Sequence, residues 1–261
     1  MVGMELAFER RGAGAPLILL HGIGHHWQGW LPVLDRLAAE RDVIAVDLPG
    51  FGVSPPLPDG TPYTAETLAD AVESFCGMLG VREPHVAGNS LGGYVALELA
   101  ARGAVRTAAA LSPAGFWNRT ELLYTRTVLR ATRAAALAVP PERAAAAVGG
   151  PLAKALAVGL MVAHPGRLPD EAVLAAGEAL RGARGFDEML EAFAWMMPPA
   201  PPKVPVTIAW GEHDRLLPRR QAVRAARWSG QRVKLLRGCG HLPMSDDPEL
   251  VARVLLEASA G

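Results

Sequence analysis

The chain has 261 residues, of which half are hydrophobic, and its 26 basic and 26 acidic side chains give a formal net charge of zero. That composition is too apolar for a disordered chain, and it lacks the excess of lysine and arginine that binding to nucleic acid or an anionic membrane requires. Two cysteines, Cys76 and Cys239, are too few for a disulfide framework or a four-thiolate zinc site. The charged N-terminus is unlike a signal peptide, and the longest apolar run, 155–163, is too short to span a bilayer. We therefore expect a cytoplasmic protein without a membrane span.

Short apolar runs alternate with amphipathic segments in the first part of the chain. Residues 30–40 and 64–79 carry apolar side chains at three- and four-residue spacing, which predicts helices. The apolar runs lack polar alternation, as strands covered on both faces do. Alternation of strand and helix predicts a mostly parallel sheet with helices on both sides. The predicted strands are 16–20, 42–47, 85–87 and 107–111.

The strand pattern then stops and later resumes. From 117 to 202 the sequence is rich in alanine, leucine and arginine and is interrupted by prolines, which predicts several short helices and no strand. Further strands are predicted at 204–210 and 232–236, followed by a last helix over 248–258. We therefore expect one α/β domain with a helical segment inserted into it.

The strongest motif is the sequence GNSLGG at 88–93, which follows a predicted strand and opens a predicted helix. Where a strand turns directly into a helix, the middle residue adopts a strained backbone conformation. Glycines two positions before and after it remove side chains that would collide. Ser90 occupies the middle position, so we expect its hydroxyl to be the nucleophile at the carboxyl edge of the sheet.

A serine hydroxyl needs a general base, and the base needs an acid to orient it. Among seven histidines, His241 lies in a glycine-rich loop after the last predicted strand, which places it at the same sheet edge as Ser90. Asp214, in the sequence GEHD, follows the preceding strand. The chain order Ser90, Asp214, His241 is the one expected for nucleophile, acid and base on such a sheet. Glu212 is the alternative acid, and we prefer Asp214 because it lies farther into the loop.

Acyl transfer also requires hydrogen-bond donors for the negatively charged oxygen of the tetrahedral intermediate. The backbone N–H of Leu91, directly after the nucleophile, is one predicted donor. The loop after the first predicted strand reads His21-Gly22-Ile23-Gly24 and should supply the other. We predict the N–H of Ile23, with that of Gly24 as the alternative.

Together these segments resemble the α/β-hydrolase fold family over nearly the whole chain. His21-Gly22 followed by Trp30 is similar to the family's oxyanion loop, and residues 47–54 are similar to its D-x-x-G-x-G-x-S stretch. The resemblance implies a mostly parallel central sheet flanked by helices, with an inserted helical cap. The expected core is 1–116 and 203–261, and the expected cap is 117–202.

The family resemblance also assigns roles, with Ser90 as nucleophile, Asp214 as acid and His241 as base. Its haloalkane dehalogenases and epoxide hydrolases use an aspartate nucleophile, where this chain has serine. Asn89 resembles the meta-cleavage-product hydrolases, which break carbon–carbon bonds, but Leu242 stands where those enzymes usually carry tryptophan.

We therefore predict a serine hydrolase that acts on a small or medium-sized apolar carboxylic ester (class 3.1.1). The mechanism requires no metal and no organic cofactor. The alternatives are hydrolysis of carbon–carbon bonds in ring-fission products, peracid formation of the haloperoxidase type, and a non-catalytic ligand receptor on the same fold.

Overall fold

The structure, a computed structural model, describes residues 4–140, 143–144 and 148–260. Within these ranges, seven strands form one sheet in the order β1-β3-β2-β4-β5-β6-β7, in which β1 is antiparallel to β3 and every other neighbouring pair is parallel. The strands are β1 (Phe8–Arg11), β2 (Pro16–Leu20), β3 (Asp42–Val46), β4 (His85–Asn89), β5 (Thr107–Leu111), β6 (Val206–Gly211) and β7 (Lys234–Leu236). The predicted mostly parallel sheet is confirmed.

Helices cover both faces of this sheet. The helices that the structure describes are α1 (Leu31–Ala38), α2 (Ala65–Met78), α3 (Leu91–Arg102), α4 (Arg119–Ala138), α5 (Pro151–Val158), α6 (Asp170–Gly182), α7 (Phe186–Ala192), α8 (Arg220–Ser229), α9 (Pro243–Asp246) and α10 (Pro248–Ala258). In the described part of the chain, 3₁₀ turns lie at Trp27–Trp30 and Pro165–Arg167. None of these helices is long and apolar enough to cross a membrane.

Among the residues that the structure describes, two hydrophobic clusters hold the layers together. One cluster joins α1 and α10 to one face of the sheet, and the other joins α2, α3 and α8 to the opposite face. All five residues of β3, β4 and β5 are buried, because both sides of these strands are covered. This explains why their sequences are continuous apolar runs rather than alternating ones.

The described residues between β5 and β6 form helices and turns, with no strand among them. The first of these helices, α4, begins with a capping box in which Asn118 and Glu121 each accept the other's backbone N–H. Leu180 on α6 and Phe186 on α7 reach the loop after β2. The helical insertion therefore lies against the carboxyl edge of the sheet.

Two elements at the edges of the sheet differ from expectation. The sequence pattern gave no sign of β1, whose residues Glu9, Arg10 and Arg11 are charged and alternate between exposed and half-buried positions. The last strand begins at Lys234 rather than at 232. Edge strands have one partner and a solvated side, so their sequences carry little of the apolar signal that marks a central strand.

Candidate active site

Ser90 occupies the turn between β4 and α3 in a conformation that few side chains adopt. Its backbone has φ 55° and ψ −115°. A Cβ on Gly88 would lie 2.0 Å from the carbonyl oxygen of Gly92, and a Cβ on Gly92 would lie 2.2 Å from that of Leu20. Only glycine fits at both positions, so the two glycines allow the chain to reverse at Ser90.

The imidazole of His241 is held by a buried carboxylate. Its Nδ1 lies 2.8 Å from Oδ2 of Asp214. The other carboxylate oxygen accepts the backbone N–H groups of Leu216 at 3.0 Å and Leu217 at 2.7 Å, which fixes the orientation of the carboxyl group. With Nδ1–H donating to Asp214, Nε2 carries the lone pair that can accept a proton.

Glu212, the alternative acid, is engaged elsewhere. Its Oε2 accepts the backbone N–H of Gly238 at 3.0 Å, and this bond lowers the pKa of the carboxyl group. The geometry therefore favours Asp214 as the partner of His241.

The loop that carries His241 is tied to the turn that carries Ser90. The side-chain amide of Asn89 donates to the carbonyl oxygen of His241 at 2.9 Å and to that of Leu111 at 3.1 Å. Within the described ranges, no hydrogen bond joins the hydroxyl of Ser90 to His241. Such bonds are often long without substrate and tighten when it binds. Asn89 nevertheless brings the two loops together at one edge of the sheet.

The loop 21–24 runs beside Ser90. A Cβ on Gly22 would lie 3.3 Å from the Cβ of Ser90. The backbone N–H groups of Ile23 and Leu91 donate to no acceptor among the residues described. Both are therefore available to an oxygen atom bound near Ser90.

The imidazole of His21 braces that loop. Its Nδ1 donates to the carbonyl oxygen of Gly22 at 2.7 Å, and its Nε2 accepts the backbone N–H of Leu48 at 3.0 Å. Burial lowers the pKa of His21 to about 3, so the ring stays neutral and keeps one donor and one acceptor. Sequence reasoning gave His21 no such role, because Leu48 lies 27 positions away along the chain.

The D-x-x-G-x-G-x-S stretch, residues 47–54, also stabilises the chain that follows the loop 21–24. The carboxylate of Asp47 accepts the backbone N–H groups of Trp27 at 2.6 Å and Val53 at 2.9 Å. Ser54 donates its hydroxyl proton to the carbonyl oxygen of Asp47 at 2.7 Å. A Cβ on Gly52 would fall 2.1 Å from the Asp47 carboxylate, which explains the glycine.

The helical insertion contacts the loop 21–24 and the loop that carries His241. A Cβ on Gly24 would lie 2.5 Å from Cδ1 of Leu180, and the carbonyl oxygen of Met161 accepts the N–H of Leu242 at 2.8 Å. Phe186 is fully buried in the insertion, whereas Trp195 is 86% exposed. Among the described residues no group of three or more His, Cys, Asp or Glu is arranged to hold a metal ion.

Comparison with known proteins identifies the family of this chain. The model of the alpha/beta hydrolase family matches residues 17–254. The chain belongs to that family.

Three curated relatives align with part of the chain. The acetyltransferase component of the acetoin cleaving system from Cupriavidus necator is 40% identical over 47% of this chain and 33% of its own length. A pimeloyl-[acyl-carrier protein] methyl ester esterase from Aeromonas salmonicida is 40% identical over 37% of this chain and 36% of its own length. A 2-hydroxymuconate semialdehyde hydrolase from a Pseudomonas species is 36% identical over 38% and 36%. The chain thus matches about a third of the length of each of these three proteins.

Solved structures match nearly the whole chain. A bacterial membrane phospholipase A superimposes with a TM-score of 0.77 at 27% identity, covering 98% of this chain and 84% of that protein. A thermophilic esterase from Thermogutta terrifontis superimposes with a TM-score of 0.75 at 24% identity, covering 97% and 92%. These matches show the α/β-hydrolase fold.

Proposed function

We propose that this protein is a serine hydrolase that cleaves a small or medium-sized carboxylic ester through an acyl-enzyme. The observation that carries the proposal is the meeting of three features at one edge of the sheet. These are Ser90 at a strained strand–helix turn, the His241 imidazole on a buried carboxylate, and two unengaged backbone N–H groups. The esterase named among the relatives supports the same reaction class.

In the first half of the reaction, the oxygen of Ser90 attacks the acyl carbon of the ester. His241 takes the hydroxyl proton on Nε2 as the new bond forms. Asp214 remains ionised and stabilises the resulting imidazolium through the bond to Nδ1. The N–H groups of Ile23 and Leu91 donate to the oxyanion that develops on the former carbonyl oxygen.

In the second half, the tetrahedral intermediate collapses and the carbon–oxygen bond to the alcohol breaks. His241 gives its proton to the leaving alcohol. A water molecule then attacks the acyl-enzyme, and His241 again acts as base. When the second tetrahedral intermediate collapses, the bond between the acyl carbon and the Ser90 oxygen breaks, and His241 returns its proton to that oxygen as the carboxylic acid leaves.

We further propose that residues 117–202 form a cap over this site and that 1–116 and 203–261 form the core. The contacts of Leu180 with the loop 21–24 and of Met161 with Leu242 support this division. A cap in that position would exclude water from the reacting groups and would provide apolar contacts to the substrate.

Carbon–carbon bond hydrolysis is the second candidate. Asn89 and the relative named 2-hydroxymuconate semialdehyde hydrolase favour it. Against it, the amide nitrogen of Asn89 donates both of its hydrogen bonds to backbone carbonyl oxygens, those of Leu111 and His241. Neither N–H group is therefore free to bind a ring-fission product. Ester hydrolysis therefore ranks first.

A substrate panel with two variants tests the proposal. Wild type, Ser90→Ala and the control Ser74→Ala, on α2, are assayed with p-nitrophenyl esters of increasing acyl length and with a ring-fission dienoate. We expect ester turnover by wild type and S74A, with kcat at least about 10⁴-fold lower in S90A. Faster turnover of the dienoate than of every ester would favour carbon–carbon hydrolysis instead. Near-normal ester turnover by folded S90A would exclude Ser90 as the nucleophile.

A further inference from the structure

One buried carboxylate joins the loop of His241 to the helical insertion. Asp246, the last residue of α9, is only 9% exposed. Its Oδ2 accepts the backbone N–H of Gly240 at 2.8 Å. The same carboxylate accepts the N–H of Ala163 at 2.9 and 3.0 Å and that of His164 at 2.9 Å. Three N–H groups from two separate segments thus converge on one side chain.

The two segments also touch each other directly. We call residues 161–164, which follow α5, the strap, and residues 239–242 the histidine loop. The carbonyl oxygen of Met161 in the strap accepts the N–H of Leu242 in the histidine loop at 2.8 Å. A Cβ on Gly240 would lie 2.8 Å from the nitrogen of Ala163, so the two backbones are in close contact.

These bonds bracket His241 on both sides. The residue before it is held by Asp246, and the residue after it is held by the strap. The carbonyl oxygen of His241 itself accepts a hydrogen bond from the side-chain amide of Asn89. The backbone position of the proposed base therefore depends on where the strap lies.

We infer that Asp246 is a positioning residue that fixes His241 relative to the helical insertion. It touches no reacting atom and acts through the backbone of the histidine loop. The inference rests on the proposed function, because it assigns Asp246 a part in the reaction of the same site. It extends that function by making the alignment of the base depend on the seating of the strap.

The strength of the hydrogen bonds to Asp246 follows from the burial of its side chain and from the chemistry of a carboxylate. Hydrogen bonds from N–H groups to a carboxylate are stronger than bonds between neutral groups. Replacing Asp246 with asparagine removes the charge and turns an NH₂ group toward backbone N–H donors, which leaves at least one of them without an acceptor. A shift of about 1 Å in a catalytic group can lower the rate about 100-fold.

The neighbouring residue Asp247 provides a matched control. Its Oδ1 accepts the backbone N–H of Leu250 at 2.9 Å and caps α10. Asp247→Asn keeps a good N-cap residue and leaves the strap untouched. Asp246→Asn and Asp247→Asn therefore make the same chemical change at adjacent positions, and only the first reaches the histidine loop.

The experiment combines amide hydrogen exchange with kinetics on the full chain. In D246N we expect exchange at least about tenfold faster in both the strap and the histidine loop, because the bonds that protect these amides are weakened. We also expect kcat for a p-nitrophenyl ester to be at least about tenfold lower in D246N and within about twofold of wild type in D247N. A loss of stability alone would not lower kcat per folded molecule.

A second variant tests the same link without altering Asp246. Gly240→Ala places a methyl group against the nitrogen of Ala163 and must move the strap away from the histidine loop. We expect faster exchange in both segments and a lower kcat, as in D246N.

Two outcomes would overturn the inference. One is unchanged exchange in both segments of D246N, and the other is a normal kcat in folded D246N or G240A. Failure of the proposed function is a different result, since wild type would then hydrolyse none of the esters. The exchange measurement would still decide whether Asp246 joins the two segments.

Discussion

The two hydrogen bonds of His21 and its lowered pKa predict how His21→Gln changes the free energy of unfolding, and how that change depends on pH. His21→Gln retains an acceptor in reach of the Leu48 N–H but loses the donor to the Gly22 carbonyl oxygen. Loss of one buried hydrogen bond should lower the free energy of unfolding at pH 8 by about 1–3 kcal/mol.

The pH dependence of that difference has a definite sign. The folded-state pKa of His21 is about 3, whereas an unfolded histidine titrates near 6.5. Between these values the unfolded chain binds more protons, so the contribution of His21 is full above about pH 6.5 and decreases as the pH falls toward 3. Integrating the proton difference from pH 8 to pH 5 gives a loss of about 2 kcal/mol from His21 alone.

Glutamine does not titrate, so H21Q lacks this loss. Urea unfolding of wild type and H21Q at pH 5, 6, 7 and 8 measures the effect, and comparing the two proteins at each pH cancels the contributions of all other groups. The stability advantage of wild type should shrink by about 2 kcal/mol between pH 8 and pH 5. An advantage that is constant across this range would show that His21 is not held neutral by burial and would refute the reasoning.

Two further predictions concern the site and the turn beneath it. Asp214→Asn should lower kcat for ester hydrolysis by about 10³–10⁴-fold while leaving the fold intact, since the amide can hold His241 in the wrong tautomer. If steady-state kinetics showed kcat lowered by less than about tenfold, Asp214 would not be the acid. Gly92→Ala should reduce the yield of folded protein or lower the melting temperature strongly, because its Cβ would meet the Leu20 carbonyl oxygen at 2.2 Å. The control Gly177→Ala, inside α6 with nothing within 4 Å of the new Cβ, should raise stability by about 0.5–1 kcal/mol. Equal melting temperatures for the two alanine variants would contradict the packing argument.

Much of the fold, and the arrangement of the candidate site, could be predicted because the relevant signals are local. The glycines around Ser90 are needed by atoms within a few residues and by the adjacent strand, so a short motif carries the geometry. The central strands are covered on both faces, so their apolar runs stand out. The edge strand β1 has charged residues and one partner, and its sequence gave no comparable signal.

The supporting contacts of the site could not be predicted in the same way. Asp214 and Glu212 follow the same strand two residues apart, and only the three-dimensional structure shows which carboxylate faces His241. The bonds of His21 to Leu48 and of Asp246 to Ala163 join residues 27 and 83 positions apart. Such pairs have no spacing rule, because the fold decides which loops meet.

The proposed reaction requires, above all, that Ser90 is an activated nucleophile. Incubation of the folded protein with a fluorophosphonate, followed by peptide mapping, measures this without knowledge of the natural substrate. We expect one label per chain, on Ser90, and loss of that label in His241→Ala. A protein that stays unlabelled would contradict the mechanism and favour a non-catalytic ligand receptor on this fold. A label at another residue would exclude Ser90 as the activated nucleophile.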